Sequence, residues 1–110
     1  MFDPIDFFHL AKELINEDEA SIRTSIGRAY YASFLITRDK LGLRLRAPDV
    51  HRKLIESLYG ANPLIANKLH SLRRLRNSSD YDMHVSMQII DAERALKLAD
   101  AVISGMRGCR

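Results

Sequence analysis

The chain is poor in the residues that define several common classes of protein. It has one cysteine, Cys109, among 110 residues. A single cysteine cannot form an intrachain disulfide, so a disulfide-stapled domain is excluded and a reducing compartment is expected. No apolar run approaches the roughly 18 residues of a membrane span. The N-terminal segment carries acidic residues where a secretory signal begins with basic ones. These absences predict a cytoplasmic protein that does not enter the membrane.

The sequence also lacks the motifs of common enzymes. It has no glycine-rich phosphate loop, no Gly-x-Ser-x-Gly elbow and no Glu-x-x-His pair of the kind that holds two iron ions in a helical bundle. Asp80, Asp82 and His84 are close enough along the chain to suggest a small metal site. Three ligands on one loop without a fourth partner are a weak pattern, however. We therefore predict neither a bound metal nor another cofactor.

Charge is unevenly distributed although the formal net charge is only +3. Residues 1–19 hold six acidic residues and one lysine, a net of −5, whereas residues 38–76 hold ten basic and three acidic residues, a net of +7. Such a basic middle favours an anionic partner such as nucleic acid or a nucleotide, and it equally suits self-association with the acidic segment.

Helical spacing of apolar residues dominates, and no segment alternates with the period of a strand. The first helix should begin at Asp3 and Pro4, and the second should run from about Glu19 to Leu41 with Gly42 as its stop. A short third helix is predicted from Pro48 to Gly60. A fourth should begin at Asn62 and Pro63 and end at Asn77, and a fifth should begin at His84. The apolar seam of the fifth helix repeats with a coiled-coil-like spacing and comprises Val85, Ile89, Ala92, Leu96, Ala99, Ile103 and Met106.

These helices predict one all-α domain over residues 1–110, an antiparallel up-and-down helical bundle of four main helices plus one short helix. Small residues along the second and fifth helices should let those two pack closely and nearly antiparallel. Residues 105–110 are expected to form a frayed tail.

Arg76 stands out because it continues an apolar stripe. Ile65, Leu69 and Leu72 mark the inward face of the fourth helix, and the same spacing next reaches Arg76. An unpaired buried guanidinium is costly, so Arg76 should meet a carboxylate across the bundle or open into a cleft at its end. The alternative is an ordinary cation in the last helical turn that complements the helix dipole and reaches water.

The residues around Arg76 suit recognition of phosphate. Arg73 lies one turn earlier on the same face and Asn77 follows directly, so paired donors could face one phosphate group. His84 would supply an acid or a base near neutral pH. Further candidate contacts to an anion or RNA are Arg74, Arg28 and His51.

The adjacent tyrosines Tyr30 and Tyr31 point about 100° apart on a helix and cannot share one face. One ring is expected in the core while the other lies sideways, where Arg28 would form an exposed ridge with Tyr31.

Three segments carry a resemblance to a known family. "SIGRAYYASF" in the second helix, "VHRKLIESL" in the third and "LRRLRNSSDYD" before the last helix occur in the order typical of the HEPN domain. The chain resembles in particular the small bacterial and archaeal branch of that family, over roughly residues 5–105.

The resemblance implies a helical bundle that forms a homodimer and is often encoded beside a minimal nucleotidyltransferase, in a toxin–antitoxin-like pair. Many HEPN proteins are metal-independent endoribonucleases with a composite cleft at the dimer interface. Arg76 matches the motif arginine and Asn77 its polar neighbour. Active members carry a histidine after four to six intervening residues; here Tyr81, Asp82 and Met83 occupy that window, and His84 follows after seven.

Two hypotheses remain open from the sequence. In the first, a HEPN homodimer cleaves RNA: Arg76 stabilises the scissile phosphate, Asn77 orients it, and His84 or Tyr81 handles a proton. In the second, the bundle is a non-catalytic nucleotide- or RNA-binding module, or the regulatory partner of a nucleotidyltransferase, with Arg73 and Arg76 as anion contacts. The charge pattern favours the second because that hypothesis does not need the displaced histidine.

Overall fold

A computed structural model describes residues 2–43 and 49–108. Within these ranges the chain contains no strand and folds as a helical bundle. Its helices are α1 (Ile5–Glu13), α2 (Glu19–Leu41), α3 (Val50–Ala61), α4 (Pro63–Tyr81) and α5 (Ile89–Arg107). The predicted all-α bundle is thereby confirmed. Pro48, the predicted start of the third helix, and Cys109 lie outside the described residues.

Local side-chain caps set several helix ends where the sequence predicts them. The Asp3 carboxylate accepts a hydrogen bond from the Ile5 backbone N–H at 3.0 Å, and Asp18 accepts one from the Ser21 N–H at 3.3 Å. Gly42 ends α2 with φ of 68°, a left-handed conformation that favours glycine. Asn62 caps α4 by accepting from a backbone N–H one turn on. The predicted bounds of α2 and the predicted start of α4 are confirmed.

The centre of the bundle is α2, which packs against α1, α4 and α5, while α3 packs against α4. A buried hydrogen bond of 2.7 Å from Ser25 Oγ to the Ala11 carbonyl joins α2 to α1. The core is apolar and drawn from all five helices; its largest fully buried apolar side chains are Tyr30, Ile26, Leu54, Leu58, Leu69, Leu72 and Val102. Burial of these side chains is the main source of stability.

The direction of α5 differs from the prediction. The Met87 backbone N–H, just before α5, donates to Glu19 Oε2 at the start of α2 at 3.2 Å, so both helices begin at the same end. At the other end Arg107 forms an ion pair with Asp3. The expected antiparallel packing of α2 and α5 is therefore wrong: these two helices run parallel, and it is the consecutive main helices that alternate in direction.

Helix α4 is longer than predicted, and α5 starts later. α4 continues past Asn77 for another turn to Tyr81, and no residue other than glycine has a positive φ among the described residues. α5 begins at Ile89, where the Gln88 N–H donates to Asp91 Oδ2 at 2.8 Å. His84 therefore lies in the connector 82–88 and not in the first turn of α5.

The other end of α5 also differs from its prediction. The helix continues through Arg107, and Met106 is buried. The expected fraying from residue 105 is accordingly wrong for 105–107. Without a side chain at Gly105 the helices approach closely, since a Cβ there would lie 2.7 Å from Ile65 Cδ1 of α4.

Arg23 of α2 explains the extra turn of α4. Its guanidinium donates to the carbonyl oxygens of Ser79 at 2.8 Å, Asp82 at 3.2 Å and Ser78 at 3.3 Å, and also to that of Val85. The Ser78 oxygen also accepts from the Asp82 backbone N–H at 3.0 Å. Carbonyl groups at the end of a helix and in its connector otherwise commonly lack backbone partners. The Arg23 side chain is only 15% exposed. One side chain from α2 therefore fixes both the end of α4 and the chain that follows it.

We predict that Arg23→Ala lowers the free energy of unfolding by about 2–3 kcal/mol, because it removes charge-assisted hydrogen bonds from partly buried carbonyls. Arg23→Lys should recover only part of this loss, since an ammonium group lacks the planar fork of guanidinium. Urea denaturation monitored by circular dichroism measures the difference. The matched control is Arg52→Ala, which removes ion pairs that are exposed to solvent and should change stability little. Equal losses for Arg23→Ala and Arg52→Ala would contradict this role for Arg23.

Candidate anion-binding site

Arg76 is the centre of the candidate site. Its side chain is 12% exposed, and its guanidinium carbon lies 5.6 Å from the ring centroids of Tyr30 and Tyr31 and 5.4 Å from that of Tyr81. A cation at this distance from a tyrosine ring is attracted by the ring's electrons. The guanidinium of Arg76, which continues the apolar face of α4, is thus nearly buried and surrounded by aromatic rings.

The carboxylate that meets Arg76 comes from the same helix. Asp80 Oδ2 lies 2.9 Å from Arg76 Nε, one turn further along α4. The prediction of a partner across the bundle is wrong, because the segment that contains Asp80 is helical and not part of a loop. This contact is an ion pair whose geometry is not that of an aligned hydrogen bond. Arg76 Nη1 additionally donates to Asn77 Oδ1 at 3.3 Å.

Arg73 brings a second guanidinium to this side of α4 without a carboxylate of its own. Its Nε is buried and has no hydrogen-bond partner among the described residues. Buried donors without partners are rare in folded proteins because their desolvation is not compensated. Arg73 and Arg76 together with Asp80 give two positive charges against one negative charge. This part of α4 is therefore a basic surface with unused donors.

Tyr30 and His51 form a hydrogen-bonded pair beside these arginines. The Tyr30 hydroxyl and His51 Nδ1 are 2.7 Å apart, and the His51 ring packs on Phe34 with 4.3 Å between centroids. Burial raises the pKa of Tyr30 far above its usual range, although Arg73 and Arg76 oppose this. Burial, and then the same two arginines, lower the pKa of His51 below its usual value. Both groups are neutral at pH 7.

We refer to Arg73, Arg76, Tyr30, Tyr31, Tyr81 and His51 as the arginine–aromatic cluster. Tyr30 is buried, Tyr31 is half-buried and Tyr81 is 69% exposed. The expected division between Tyr30 and Tyr31 is confirmed. Arg28 lies 5.3 Å from the Tyr31 ring, as the predicted ridge requires. The cluster thus extends from the buried ring of Tyr30 to the exposed ring of Tyr81, on which a flat ligand could stack.

Two candidate residues lie away from this cluster. The His84 backbone N–H donates to Asp82 Oδ1 at 3.1 Å, while the His84 side chain is exposed and makes no hydrogen bond or ion pair with another residue of the described ranges. Arg74 faces a different side of α4, where it lines a shallow groove of about 450 Å³ with Asn77 and with Arg94 of α5. Asn77 is therefore shared between the arginine–aromatic cluster and this α4–α5 groove.

Neither the role of Arg23 nor the pairing of Tyr30 with His51 is predicted from the sequence. A signal for Arg23 was present, since Arg23, Gly27, Tyr30 and Phe34 follow one inward phase of α2. Arg23 is thus a charged residue on the inward face of its helix, which is the same observation that singles out Arg76. Gly27 of α2 lies opposite Asp80, and a Cβ there would be in ordinary contact with Asp80 Oδ1 at 3.5 Å.

Other kinds of site find no support in the part of the chain that the structure describes. No group of three or more His, Cys, Asp or Glu residues there is arranged to hold a metal ion. None of the helices described has the length and apolar character needed to cross a membrane.

Comparison with known proteins gives two archaeal relatives. The chain is 33% identical to the uncharacterized protein MJ0628 of Methanocaldococcus jannaschii, over 76% of this chain and 65% of the relative. It is 27% identical to the uncharacterized protein MJ0992 of the same organism, over 96% of this chain and 77% of the relative. The chain thus spans slightly less than two thirds of the length of MJ0628. No family model and no solved structure matches it.

We predict that stability falls as the pH is lowered from 7.5 to 5.5, and that His51 contributes to this fall. The pKa of His51 is lowered in the folded state, so below about pH 6.5 the unfolded chain takes up a proton before the folded chain does, and folding weakens. Charged or titratable groups facing or flanking His51 are Tyr30 from α2, Arg73 and Arg76 from α4, Arg52 and Lys53 on α3 itself, and Asp49 directly before α3.

His51→Gln should flatten this part of the stability profile, as measured by urea denaturation at each pH. His70→Gln is the matched control, because it makes the same substitution at an exposed position of α4. An unchanged slope in His51→Gln would contradict the assignment.

Proposed function

We propose that this chain is a HEPN-type helical bundle that binds RNA or nucleotides without cleaving them. Arg73 and Arg76 would contact phosphate, and the exposed ring of Tyr81 would stack on a base. The observation that carries this proposal is the unequal charge balance at Arg73 and Arg76, which lie one turn apart on α4: Asp80 pairs with Arg76, and Arg73 has no ion-pair partner among the described residues. Such groups gain most from an added anion because they are already partly desolvated.

Aromatic rings make a nucleic acid or nucleotide a better fit than a simple anion. Bases stack on tyrosine without regard to sequence, and each stacked base contributes about 1–3 kcal/mol to single-strand binding. Tyr81 is exposed and lies beside Arg76, so one ligand could contact a guanidinium through its phosphate and the ring through its base. The basic middle of the chain supports the same partner through long-range attraction.

The position of His84 favours binding over RNA cleavage. A general acid or base must be held within hydrogen-bonding reach of the atom on which it acts. His84 is an exposed side chain on the connector after α4, and no residue in the described ranges orients it through a hydrogen bond or ion pair. The endoribonuclease hypothesis would require this connector to rearrange when RNA binds or when a second copy joins the site.

The resemblance to HEPN proteins adds two partners to the proposal, a second copy of this chain and a minimal nucleotidyltransferase. Met83 and Val85 expose apolar surface on the connector after α4, close in sequence to Tyr81. A contact there would place a partner beside the arginine–aromatic cluster. The regulatory role in a toxin–antitoxin-like pair is part of this proposal and rests on the resemblance.

Fluorescence anisotropy with a labelled single-stranded RNA at several salt concentrations tests RNA binding. We predict that Arg76→Ala and Arg73→Ala each weaken binding roughly tenfold and reduce the dependence of log K on log salt by about 0.7. Arg94→Ala is the matched control, since it removes the same charge from the α4–α5 groove. Thermal unfolding of each variant shows whether it folds. If Arg76→Ala does not fold, Arg73→Ala still tests the site.

Two outcomes would contradict this proposal. A larger loss for Arg94→Ala than for Arg73→Ala would place RNA in the α4–α5 groove and not at the arginine–aromatic cluster. RNA cleavage in the presence of a chelator, abolished by both Arg76→Ala and His84→Ala, would instead support the endoribonuclease hypothesis.

A further inference from the structure

The hydrogen bond between Tyr30 and His51 determines which nitrogen of the imidazole carries the proton. The Tyr30 hydroxyl is fully buried, and its one partner among the described residues is His51 Nδ1. If Nδ1 carried the hydrogen, the phenolic hydrogen would be buried without an acceptor, which is unfavourable. Tyr30 therefore donates to Nδ1, and the hydrogen of neutral His51 lies on Nε2.

This tautomer makes His51 a hydrogen-bond donor and not a base. Its lone pair on Nδ1 is occupied by Tyr30, and its Nε2–H has no partner among the described residues. Contact with the Phe34 ring, tilted by 33° to it, restricts the orientation of the imidazole. His51 is half-buried and close enough to Arg73 and Arg76 for both cations to affect its protonation. Tyr30 connects this donor to the arginines, since its hydroxyl binds His51 and the guanidinium carbon of Arg76 lies 5.6 Å from its ring centroid.

The donors greatly outnumber the acceptors in this part of the molecule. Asp80 occupies the Nε edge of Arg76, and Asn77 accepts from Nη1, whereas Nη2 has no partner in the described ranges. Arg73 has no ion-pair partner there. A ligand that complements this arrangement needs several acceptor oxygens and more than one negative charge. A phosphate monoester has three such oxygens and a charge of about −1.5 to −2 at pH 7, whereas a phosphate within a nucleic-acid strand carries a single charge.

We propose that the arginine–aromatic cluster binds a phosphate monoester, with Arg73, Arg76 and the Nε2–H of His51 as donors and Tyr30 as the residue that positions His51. A free nucleoside monophosphate and the phosphorylated end of an RNA strand both present this group. The inference rests on the proposed function and narrows it from phosphate in general to a terminal phosphate. It also gives His51 a role that does not involve proton transfer to the substrate.

Binding of a monoester should reverse the electrostatic situation of His51. In the free protein, burial and the two arginines hold its pKa low. A dianion beside Nε2 would neutralise those arginines and favour the imidazolium, so the pKa of His51 should rise when the ligand binds.

The test compares two RNA oligonucleotides of one sequence, with a 5′-phosphate or a 5′-hydroxyl, and compares AMP with adenosine. We expect the phosphorylated oligonucleotide to bind about tenfold more tightly than the unphosphorylated one, because it adds charge-assisted hydrogen bonds. His51→Phe keeps a ring against Phe34 but removes the donor, so it should lose most of the difference in affinity between the two strands. His51→Gln places an amide donor near the position of Nε2 and should retain part of it.

Tyr30→Phe tests the positioning role by a measurement that does not depend on binding. Long-range ¹H–¹⁵N NMR spectra report the tautomer of each histidine. We expect the hydrogen of His51 on Nε2 in the unmodified protein and a mixture of tautomers in Tyr30→Phe, with the spectra of His9, His70 and His84 unchanged. In the same spectra, addition of AMP should raise the pKa of His51.

The outcomes separate this inference from the proposed function. Equal binding of the two strands together with no tighter binding of AMP than of adenosine, or a preference that survives His51→Phe, would overturn the monoester site. RNA binding that still depends on Arg76 would then leave the proposed function standing. Binding of AMP without a preference for phosphorylated RNA would support the site and identify a free nucleotide as its ligand. If none of the two RNA strands, AMP and adenosine binds, both proposals are refuted.

Discussion

The structure depends on how one guanidinium group, that of Arg23, satisfies the end of α4. The last carbonyl groups of a helix have no partners within it, and a connector adds further unpaired oxygens. Arg23 supplies donors to both from the side of α2. Glu19 extends this arrangement, since it accepts from the Met87 N–H and pairs with Arg23, and these two contacts hold its pKa below the usual range. The start of α2 thus organises the whole passage from α4 to α5.

The candidate site is a consequence of this arrangement. Because α4 continues through residues 78–81, Asp80 lies one turn beyond Arg76 and Tyr81 lies against the same guanidinium. An α4 that ended at Asn77 would leave Arg76 without its carboxylate and without its exposed ring. Arg23 and Arg76 are both mostly buried, yet they differ in how they are satisfied. Arg23 donates hydrogen bonds to protein oxygens, which is a structural role. Arg76 and Arg73 have donors that no described residue of the protein accepts from.

The sequence was sufficient where structure is decided by neighbouring residues. Gly42 and Asn62 mark helix ends through local hydrogen bonds and backbone preference, and their positions were predicted. The phase of α4 likewise identified Arg76 as a buried charge. These signals are readable because each depends on residues within one or two turns of the same helix.

Sequence reasoning failed where a contact between distant segments overrides local preference. The run from Asn77 to Asp80 has weak helix propensity and looks like a loop, but Arg23 and the ion pair of Asp80 with Arg76 stabilise it as a helix. Val85 continues the apolar spacing of α5 and moved the predicted start too early, whereas the bond of Gln88 with Asp91 begins the helix. The pairing of Tyr30 with His51 joins residues 21 positions apart and has no local signal.

The two basic surfaces of α4 should differ in how strongly they attract phosphate, although each contains two arginines. Arg74 and Arg94 are exposed, so water already solvates their charges, and a bound phosphate would replace good hydrogen bonds with others of similar strength. Arg73 and Arg76 have lost part of that hydration on folding, and the surrounding rings lower the local polarity, which strengthens each remaining electrostatic contact. Folding has already removed part of the hydration that an anion would displace, so the same number of positive charges should bind phosphate more tightly at the arginine–aromatic cluster than in the α4–α5 groove.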